Sequence, residues 1–288
     1  MRPLSSRRAL LGRTARAFGA GKLAIFALVL LVLVAPGGAA ADVGRDVARA
    51  AVARCAPALV TVRMTLKTRV VYDGREGQEY EGALEVQGTV IAPDGLTVVS
   101  DLTTHPESMY GGGSSAQVES EATEVKLVLR DGQELPARFV LRDPDLDLAF
   151  LTPIVPQAPM PHVKLEKGAV PAPLDDLLLL GQLGPALGRE VAAAPAPVRA
   201  VVKKPRTFLV PGLVDGLLAV GGPALDDRGR AIGLVVFRRM PGASRPQGFR
   251  DYLGSLQTVV ITAADVQEVA AQAIAARAAM KDEPAAQP

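Results

Sequence analysis

The stretch Ala219-Val220-Gly221-Gly222-Pro223-Ala224-Leu225 decides the fold prediction for this chain, together with the apolar run at residues 231–237. Two adjacent glycines mark a backbone that turns sharply or lies close to another segment. A polar Asp/Gly turn at residues 226–230 separates two apolar segments of strand length. Taken alone, this pattern predicts a hairpin in a β-protein and no particular chemistry.

Strand and turn signals recur on both sides of this hairpin. The strongest is Pro93-Asp94-Gly95, a turn between apolar segments at 84–92 and 96–100. A hairpin or surface loop is predicted over 70–83, and a flexible Gly/Ser-rich loop over 106–123. Further strands are predicted at 58–66, 125–129, 135–141, 176–180, 190–203, 207–210 and 257–261, with a loop at 238–253.

Two helices are predicted near the ends of the chain. Residues 46–56 place small and apolar side chains at helical spacing, and Pro57 ends this helix. Thr262-Ala263-Ala264-Asp265 is a capping box with Asp in place of Glu. The helix after it places a stripe on one face, formed by Val266, Val269, Ala270, Ala273 and Ile274.

Composition excludes several function classes. Residues 1–41 hold six bases and no acid, so the remaining 26 bases against 30 acids leave residues 42–288 at −4. No nucleic-acid partner is therefore expected. Cys55 is single, which excludes an internal disulfide, and we expect it to be buried. Two histidines and one cysteine make a structural zinc site unexpected, and the Gly/Ser-rich loop lacks a phosphate-loop lysine, so no cofactor is predicted.

The first 41 residues predict a secretory signal peptide. A basic region reaches Lys22, an apolar run covers 23–35, and Ala39-Ala40-Ala41 predicts cleavage before Asp42. Ser6-Arg7-Arg8-Ala9-Leu10-Leu11 resembles a twin-arginine export motif. The apolar run is short for a bilayer span, and an uncleaved membrane anchor is the alternative. Either way, the body of the protein is expected outside the cytoplasm, in the periplasm or secreted.

The hairpin at 219–237 resembles the nucleophile loop of trypsin-like serine peptidases, especially the bacterial HtrA (Deg-type) family. That family has Gly-Asn-Ser-Gly-Gly-Pro-Leu, followed by a turn and a strand with Ile-Gly-Ile. Leu218 stands at the oxyanion-hole glycine, Ala219 at the asparagine, and Val220 at the nucleophilic serine. The matching positions are Gly221, Gly222, Pro223, Gly229, Ile232 and Gly233.

Two further segments resemble the parts of the same family that carry the general base and its partner. In the first hairpin Val86 and Gln87 replace the family's Gly and Ser, and Gly88, Ile91, Pro93, Asp94 and Gly95 match. An ungapped count from this turn places Leu102 at the histidine. His105 lies three residues further on, and we expect it in a solvated loop, as we do His162. The segment around Asp147 resembles Asp-x-x-x-Asp-Leu-Ala-Val-Leu, whose second Asp orients the histidine.

The resemblance implies an all-β fold of two packed six-stranded β-barrels, with the site in the cleft between them. It predicts a trypsin-like peptidase domain over 42–280, after the signal peptide at 1–41 and before a disordered tail at 281–288. Within the domain we expect barrel one at 57–153, a linker at 154–175, barrel two at 176–262 and a helix at 263–280. No PDZ module is expected after it.

Serine proteolysis requires a hydroxyl, a base and oxyanion donors. With Val220, Leu102 and Leu218 at those positions, the leading hypothesis is an exported pseudopeptidase that binds a peptide or protein. The alternatives are an active endopeptidase with His105 as a displaced base, and a membrane-tethered structural protein of the envelope. The four aliphatic side chains of Leu102, Leu217, Leu218 and Val220 make the cleft apolar. This favours infill by packing over an extended hydrophobic peptide.

Overall fold

The computed structural model describes residues 39–72, 75–105, 116–155, 157–239 and 256–281. Residues from Gly44 onward form one compact unit, and the unit Met1–Val43 lies almost entirely outside the described part. The predicted signal peptide therefore falls outside the described residues, apart from its last alanines. The predicted tail also falls outside them, apart from Lys281, which ends the last helix.

The chain forms thirteen described strands and few helices. The helices are α1 Ala39–Cys55, α2 Asp101–Thr104, α3 Leu213–Leu218 and α4 Ala263–Lys281, with 3-10 turns at Ala56–Ala58 and Pro185–Leu187. The strands of the first half are β1 Leu59–Tyr72, β2 Arg75–Val90, β3 Thr97–Ser100, β4 Ala116–Val128, β5 Glu134–Asp143 and β6 Leu148–Pro153. The others are β7 Asp176–Gln182, β8 Val191–Pro197, β9 Ala200–Val202, β10 Phe208–Val210, β11 Pro223–Leu225, β12 Ala231–Arg239 and β13 Leu256–Thr262.

The first six strands close into an antiparallel barrel in the order β1-β2-β3-β6-β5-β4. The predicted turn at Pro93-Asp94-Gly95 connects β2 to β3. Gly95 has a φ of +85°, and the Asp94 carboxylate accepts a hydrogen bond from the Leu96 N–H at 3.2 Å. The largest fully buried side chain, Phe150, lies on β6 inside this core. The hairpin predicted from the sequence is therefore the β2–β3 hairpin of the first barrel.

The second sheet is a curled half-barrel of seven strands in the order β8-β7-β11-β12-β13-β10-β9. The fold class is the predicted trypsin-like double barrel, but this half has seven strands rather than the expected six. Edge strand β8 contains Pro195 and Pro197, which have no N–H to donate to a further strand. Strand β9, at the other edge, has three residues. The edges therefore favour an open sheet.

A long ribbon extends the first barrel where the sequence predicts loops. Strands β1 and β2 pair from Leu59–Thr89 to Tyr72–Arg75, so the segment 70–83 is a hairpin whose strands continue almost to its tip. The loop predicted over 106–123 is wrong for residues 116–123, which lie on β4 and pair with β1. Lys67 faces Glu81 on one neighbour and Glu121 on the other. Such cross-strand charge pairs stabilise the exposed face of the ribbon.

The two long helices differ in how closely the sequence predicts them. Helix α1 begins at Ala39 rather than at residue 46, because the three alanines at its start favour helix and Gly44 does not interrupt it. In α4 one half of the capping box is confirmed, since the Asp265 N–H donates to the Thr262 hydroxyl at 3.3 Å. The Asp265 carboxylate accepts from the Thr262 hydroxyl at 2.5 Å. Ile274 is 46% exposed, so its assignment to the buried stripe is wrong. In the described part of the chain, no helix has the length and apolarity needed to cross a membrane.

Candidate functional site

Asp147 lies where the first barrel faces the second sheet. It is the last residue of the turn before β6, it has a φ of +55°, and it is 8% exposed. Its carbonyl oxygen accepts a hydrogen bond from the Asp101 N–H at 3.1 Å, which ties the turn to the start of α2. Asp is among the few residues that enter the left-handed region readily. The backbone therefore directs this carboxylate into the interior.

The Asp147 carboxylate is held by donors from both sheets. Its Oδ2 accepts from the Ser100 hydroxyl at 2.5 Å and from the Phe237 N–H at 2.8 Å. Its Oδ1 accepts from the backbone N–H of Leu102 at 2.6 Å. Ser100 and Leu102 belong to the β3–α2 junction, whereas Phe237 lies on β12 of the second sheet. The side chain is therefore a polar connection between the two halves.

Burial raises the pKa of Asp147 from 3.8 to about 7. The hydrogen bonds from Ser100, Leu102 and Phe237 favour the ionised form and oppose this shift, and the nearby Asp101 adds to it. The carboxyl therefore changes its charge near neutral pH. A buried group that titrates there couples proton binding to the stability of the junction between the sheets.

Leu102 contacts Asp147 through its backbone, not through a proton-transferring side chain. The residue is half-buried and lies in the single turn of α2 that follows β3. An aliphatic side chain has no lone pair and no exchangeable proton, so it does not act as a general base. Leu102 thus supplies one N–H to the carboxylate and no acid–base function.

The glycine turn that precedes β11 is held by backbone hydrogen bonds. The Gly221 N–H donates to the Val235 carbonyl at 2.8 Å, and the buried Thr89 hydroxyl donates to the Gly221 carbonyl at 2.7 Å. Gly221 has a φ of +83°, and a Cβ there would lie 2.3 Å from the Gln87 carbonyl oxygen. Both conditions require glycine at this position.

Val220 packs against the apolar cluster of the second sheet, which includes Leu179 and Val235. The preceding leucines behave differently: Leu217 is 47% exposed and Leu218 is 52% exposed. The expectation that the cleft is infilled is therefore wrong for Leu217 and Leu218. Helix α3, which the sequence analysis did not predict, carries both outward. Gly181 accommodates the Leu218 carbonyl, because a Cβ on Gly181 would lie 1.9 Å from that oxygen.

Gln87 is a site residue that sequence reasoning missed. Its side-chain carbonyl accepts from the Gln182 N–H at 2.5 Å, and its amide donates to the Leu180 carbonyl at 3.3 Å. A Cβ on Gly222 would lie 2.3 Å from the Gln87 Nε2, so the amide group lies directly against the turn. Its departure from the family's small residue was the signal in the sequence. Gln87 occupies space beside the glycine turn and joins β2 to β7.

His105 is not a solvated loop histidine, so that expectation is wrong. Its side chain is 17% exposed, its Nδ1 lies 3.5 Å from an Asp101 carboxylate oxygen, and its ring meets Phe139 edge-on at 6.1 Å. The Thr104 hydroxyl donates to the Asp101 carbonyl at 2.8 Å and lies 2.7 Å from the His105 Nδ1. Because that hydroxyl already donates to a carbonyl and is buried, it is not an activated nucleophile.

The remaining predictions concern single residues. His162 is exposed, as expected, with its Nδ1 3.1 Å from the Met160 carbonyl. Cys55 is 3% exposed, which confirms the buried thiol, and burial raises its pKa against the opposing charge of Arg54. Among the described residues, no group of three or more His, Cys, Asp and Glu side chains is arranged to hold a metal ion.

The sequence profile of the trypsin-like peptidase domain matches residues 86–234, just over half of the chain. This segment runs from β2 to β12 and contains Leu102, Asp147, Val220 and the glycine turn. No curated protein matches the sequence.

Two solved structures share the fold at low identity. The HtrA-type protease AlgW with decapeptide superposes with a TM-score of 0.50 and 19% identity, over 78% of this chain. A variant of AlgW with decapeptide gives a TM-score of 0.53 and 18% identity, over 78% of this chain. In both comparisons the match spans 66% of the other protein, slightly less than two thirds of its length. The likeness establishes the double-barrel arrangement.

Proposed function

The chain belongs to the trypsin-like peptidase domain family, and from this premise we propose that it is an exported member that binds peptide or protein without hydrolysing it. The proposal assigns Leu102, Asp147 and Val220 to the three triad positions and Leu218 to the oxyanion-hole position. Of these, Asp147 alone has a group capable of proton transfer. Peptide binding does not require a nucleophile or a general base, so it remains possible without them.

The observation that carries the proposal is the coordination of the Asp147 carboxylate. Its hydrogen bonds come from a hydroxyl and two backbone N–H groups. In a working triad the carboxylate orients an imidazole and stabilises its positive charge. Here the residue beside the carboxylate contributes an aliphatic side chain. Asp147 therefore holds the two sheets together instead of orienting a base.

The glycine turn, on the opposite side of the junction from Asp147, also supports a binder that does not hydrolyse peptides. Val220 has no proton to transfer and packs against an apolar cluster. Removing one triad member from a serine peptidase costs roughly four to six powers of ten in turnover. Because the triad acts as a unit, losing a second member adds little, and the roughly 10³–10⁴-fold catalysis that remains depends on the oxyanion hole and on binding. The proposal also places Leu218 at the oxyanion-hole position, so we expect this residual catalysis to be weakened.

A peptide is the partner that the exposed surface favours. Leu217 and Leu218 expose about half of their surface on α3, beside the glycine turn. Two adjacent exposed leucines offer an apolar contact to a partner, which is the surface that the proposal uses. The AlgW structures contain a decapeptide, and we extend peptide binding to this chain as part of the proposal. The bound peptide is expected to be extended and hydrophobic.

The test is labelling of the purified protein with a serine-directed fluorophosphonate, together with casein cleavage. We expect neither labelling nor cleavage in the parent protein, and no change in a His105→Ala variant. A fluorescent hydrophobic decapeptide should nevertheless bind, and Leu217→Asp combined with Leu218→Asp should weaken this binding at least about tenfold. Exposed Leu187, which is 63% exposed on a separate 3-10 turn, gives the matched control in Leu187→Asp.

An active endopeptidase with His105 as base is the second candidate. His105 does lie near a buried carboxylate, that of Asp101, which is the observation in its favour. It predicts labelling by the fluorophosphonate and loss of this labelling in His105→Ala. Either result would replace the proposal of an inactive binder.

Export and cleavage before Asp42 are also part of the proposal. They rest on the sequence of residues 1–41, and the alternative is a structural envelope protein tethered by this segment. Mass spectrometry of the native N-terminus distinguishes the two possibilities. A chain that starts at Asp42 supports export with cleavage, whereas retention of residues 1–41 supports the tether.

A further inference from the structure

A cavity lies away from the junction between the sheets. It has a volume of about 300 Å³ and lies between the end of α1, the segment 162–166 and the turn before β12. Its buried floor is formed by Cys55, Val163 and Ala231. This volume is at the lower end of the range for small-molecule sites. The cavity therefore has room for a small organic molecule rather than for a peptide.

The lining of this cavity is strongly basic. Among the described residues that line it, Glu166 is the single acid, and the cations are Arg54, Lys164, Arg228 and Arg230. Residues 42–288 as a whole carry a net charge of −4. The positive charge is therefore a local concentration in a mildly acidic protein, and it produces a local potential that attracts anions.

Two of the arginines are held in place by neighbouring groups. Arg54 donates to the Gly229 carbonyl, and Arg230 donates through Nε to the Asp226 carboxylate at 2.8 Å. Burial opposes the ionisation of Asp226, but the hydrogen bonds from Arg230 outweigh it, so the pKa of Asp226 is lowered. The pair therefore stays ionised, and the guanidinium group is oriented before any ligand arrives.

Lys164 and Arg228 supply the charge that remains available. Within the described part of the chain, neither side chain forms a hydrogen bond or an ion pair with a carboxylate, and both residues are exposed at the rim. The backbone of Arg228 is fixed, because its N–H donates to the Asp226 carboxylate at 3.0 Å. A rim with two uncompensated cations above an apolar floor matches a ligand with one anionic end and one apolar end.

We propose that this cavity binds a small organic anion. Its carboxylate or phosphate oxygens would lie between Lys164 and Arg228 at the rim, within reach of Arg54 and Arg230. Its apolar part would lie on Cys55, Val163 and Ala231. Guanidinium groups suit both carboxylate and phosphate because their paired N–H donors match two acceptor oxygens. This site is separate from the proposed peptide surface and does not depend on it.

The experiment is isothermal titration of the purified protein with inorganic phosphate and, separately, with citrate, at constant ionic strength. We expect saturable binding of one anion per chain, and the tighter of the two probes identifies the preferred head group. The double variant with Lys164→Ala and Arg228→Ala should bind at least about tenfold more weakly. Glu166→Gln removes the acid of the lining and should tighten binding about threefold or more.

The matched control removes the same amount of charge elsewhere. Lys67 and Arg199 are exposed and lie outside the cavity lining, so the combined Lys67→Ala and Arg199→Ala variant should bind within about twofold of the parent. Equal weakening in both double variants would mean non-specific attraction and would overturn the proposal. Absence of saturable binding for both probes would overturn it as well.

Discussion

The two sides of the junction between the sheets differ in what they retain. The carboxylate side, formed by Ser100, Leu102, Asp147 and Phe237, keeps a buried polar network. The glycine-turn side, formed by Val220, Gly221 and Gly222, is held by backbone hydrogen bonds and places the aliphatic side chain of Val220 against an apolar cluster. Each retained feature has a structural role in this fold, either as a hydrogen-bond acceptor or as a close backbone approach.

On the proposed assignment, Asp147 and Gly221 belong both to the peptidase site and to the architecture of the fold. Asp147 connects two sheets, and Gly221 allows the turn to pass next to β2. Replacement of Asp147 or Gly221 should therefore disturb the fold. Replacement of the Leu102 side chain should disturb it less, because Leu102 contacts the carboxylate through its backbone N–H. The following predictions test this difference.

The largest effect is expected for Gly221→Ala. The added Cβ would lie 2.3 Å from the Gln87 carbonyl at a φ of +83°, so the variant suffers both a clash and backbone strain. We expect the free energy of unfolding to fall by at least about 3 kcal/mol in urea titrations. Gly132 has a φ of +86° with open space around it, so Gly132→Ala should cost only about 1 kcal/mol. Equal losses of stability in the two variants would show that backbone strain, and not the clash with Gln87, accounts for the effect of Gly221→Ala.

The next effect is the pH dependence of stability on the carboxylate side. Below the unfolded pKa of Asp147, near 4, the carboxyl is protonated in both states. Between there and about pH 7, the native state keeps a proton that the unfolded state has lost, so stability falls as the pH rises. The loss is on the order of 4 kcal/mol, reached near pH 7. Urea unfolding from pH 4 to pH 8, taken relative to Asp147→Asn, isolates this contribution.

A direct titration provides a second measurement if Asp147→Asn does not fold. Carbon-13 NMR of the aspartate carboxyl groups should show one resonance that titrates near pH 7. The prediction would be contradicted if the stability of the parent relative to Asp147→Asn rose with pH, or if the Asp147 resonance titrated near pH 4. Either result would mean that the donors around the carboxylate outweigh its burial.

Introducing a serine, a histidine and a glycine at the positions assigned in the proposal tests whether the two sides face each other with the geometry of a peptidase site. A variant with Leu102→His, Val220→Ser and Leu218→Gly should gain fluorophosphonate labelling at least about a hundredfold above the parent. Variants with Leu102→His alone or Val220→Ser alone should remain near the parent level, because the nucleophile and its base act as a unit. A folded triple variant without labelling would place the assigned positions too far apart.

The sequence predicted those features that depend on local chemistry. The turn at Gly95, the capping box at Asp265 and the glycine turn at Gly221 each require particular residue types at fixed spacing. Asp147 was also found from its local pattern, although its bonds to the second sheet were not. The double-barrel class followed from the order of these motifs rather than from any single one.

The features that were missed depend on contacts between distant segments. Residues 116–123 of strand β4 alternate small side chains with polar ones, and these small side chains give a weak strand signal next to the Gly/Ser-rich run, although the segment pairs with β1. The role of Gln87 depends on Leu180 and Gln182, more than 90 residues away. His105 contacts Asp101 only because residues 101–104 form a helical turn that was not predicted, and its ring contacts Phe139, which lies on another strand. Such contacts arise only when the chain is folded.

The smallest effects on stability are expected when one hydroxyl is removed from each side of the junction. Thr89→Val removes the donor to the Gly221 carbonyl, and we expect it to cost about 1–2 kcal/mol at any pH, because that acceptor does not titrate. Ser100→Ala removes a donor to Asp147, a bond that favours the ionised form. Its cost should therefore be larger at pH 8 than at pH 5, and the pKa of Asp147 should rise further. Urea unfolding of both variants at the two pH values measures this. A pH-independent cost for Ser100→Ala would remove the distinction between the carboxylate side and the glycine-turn side.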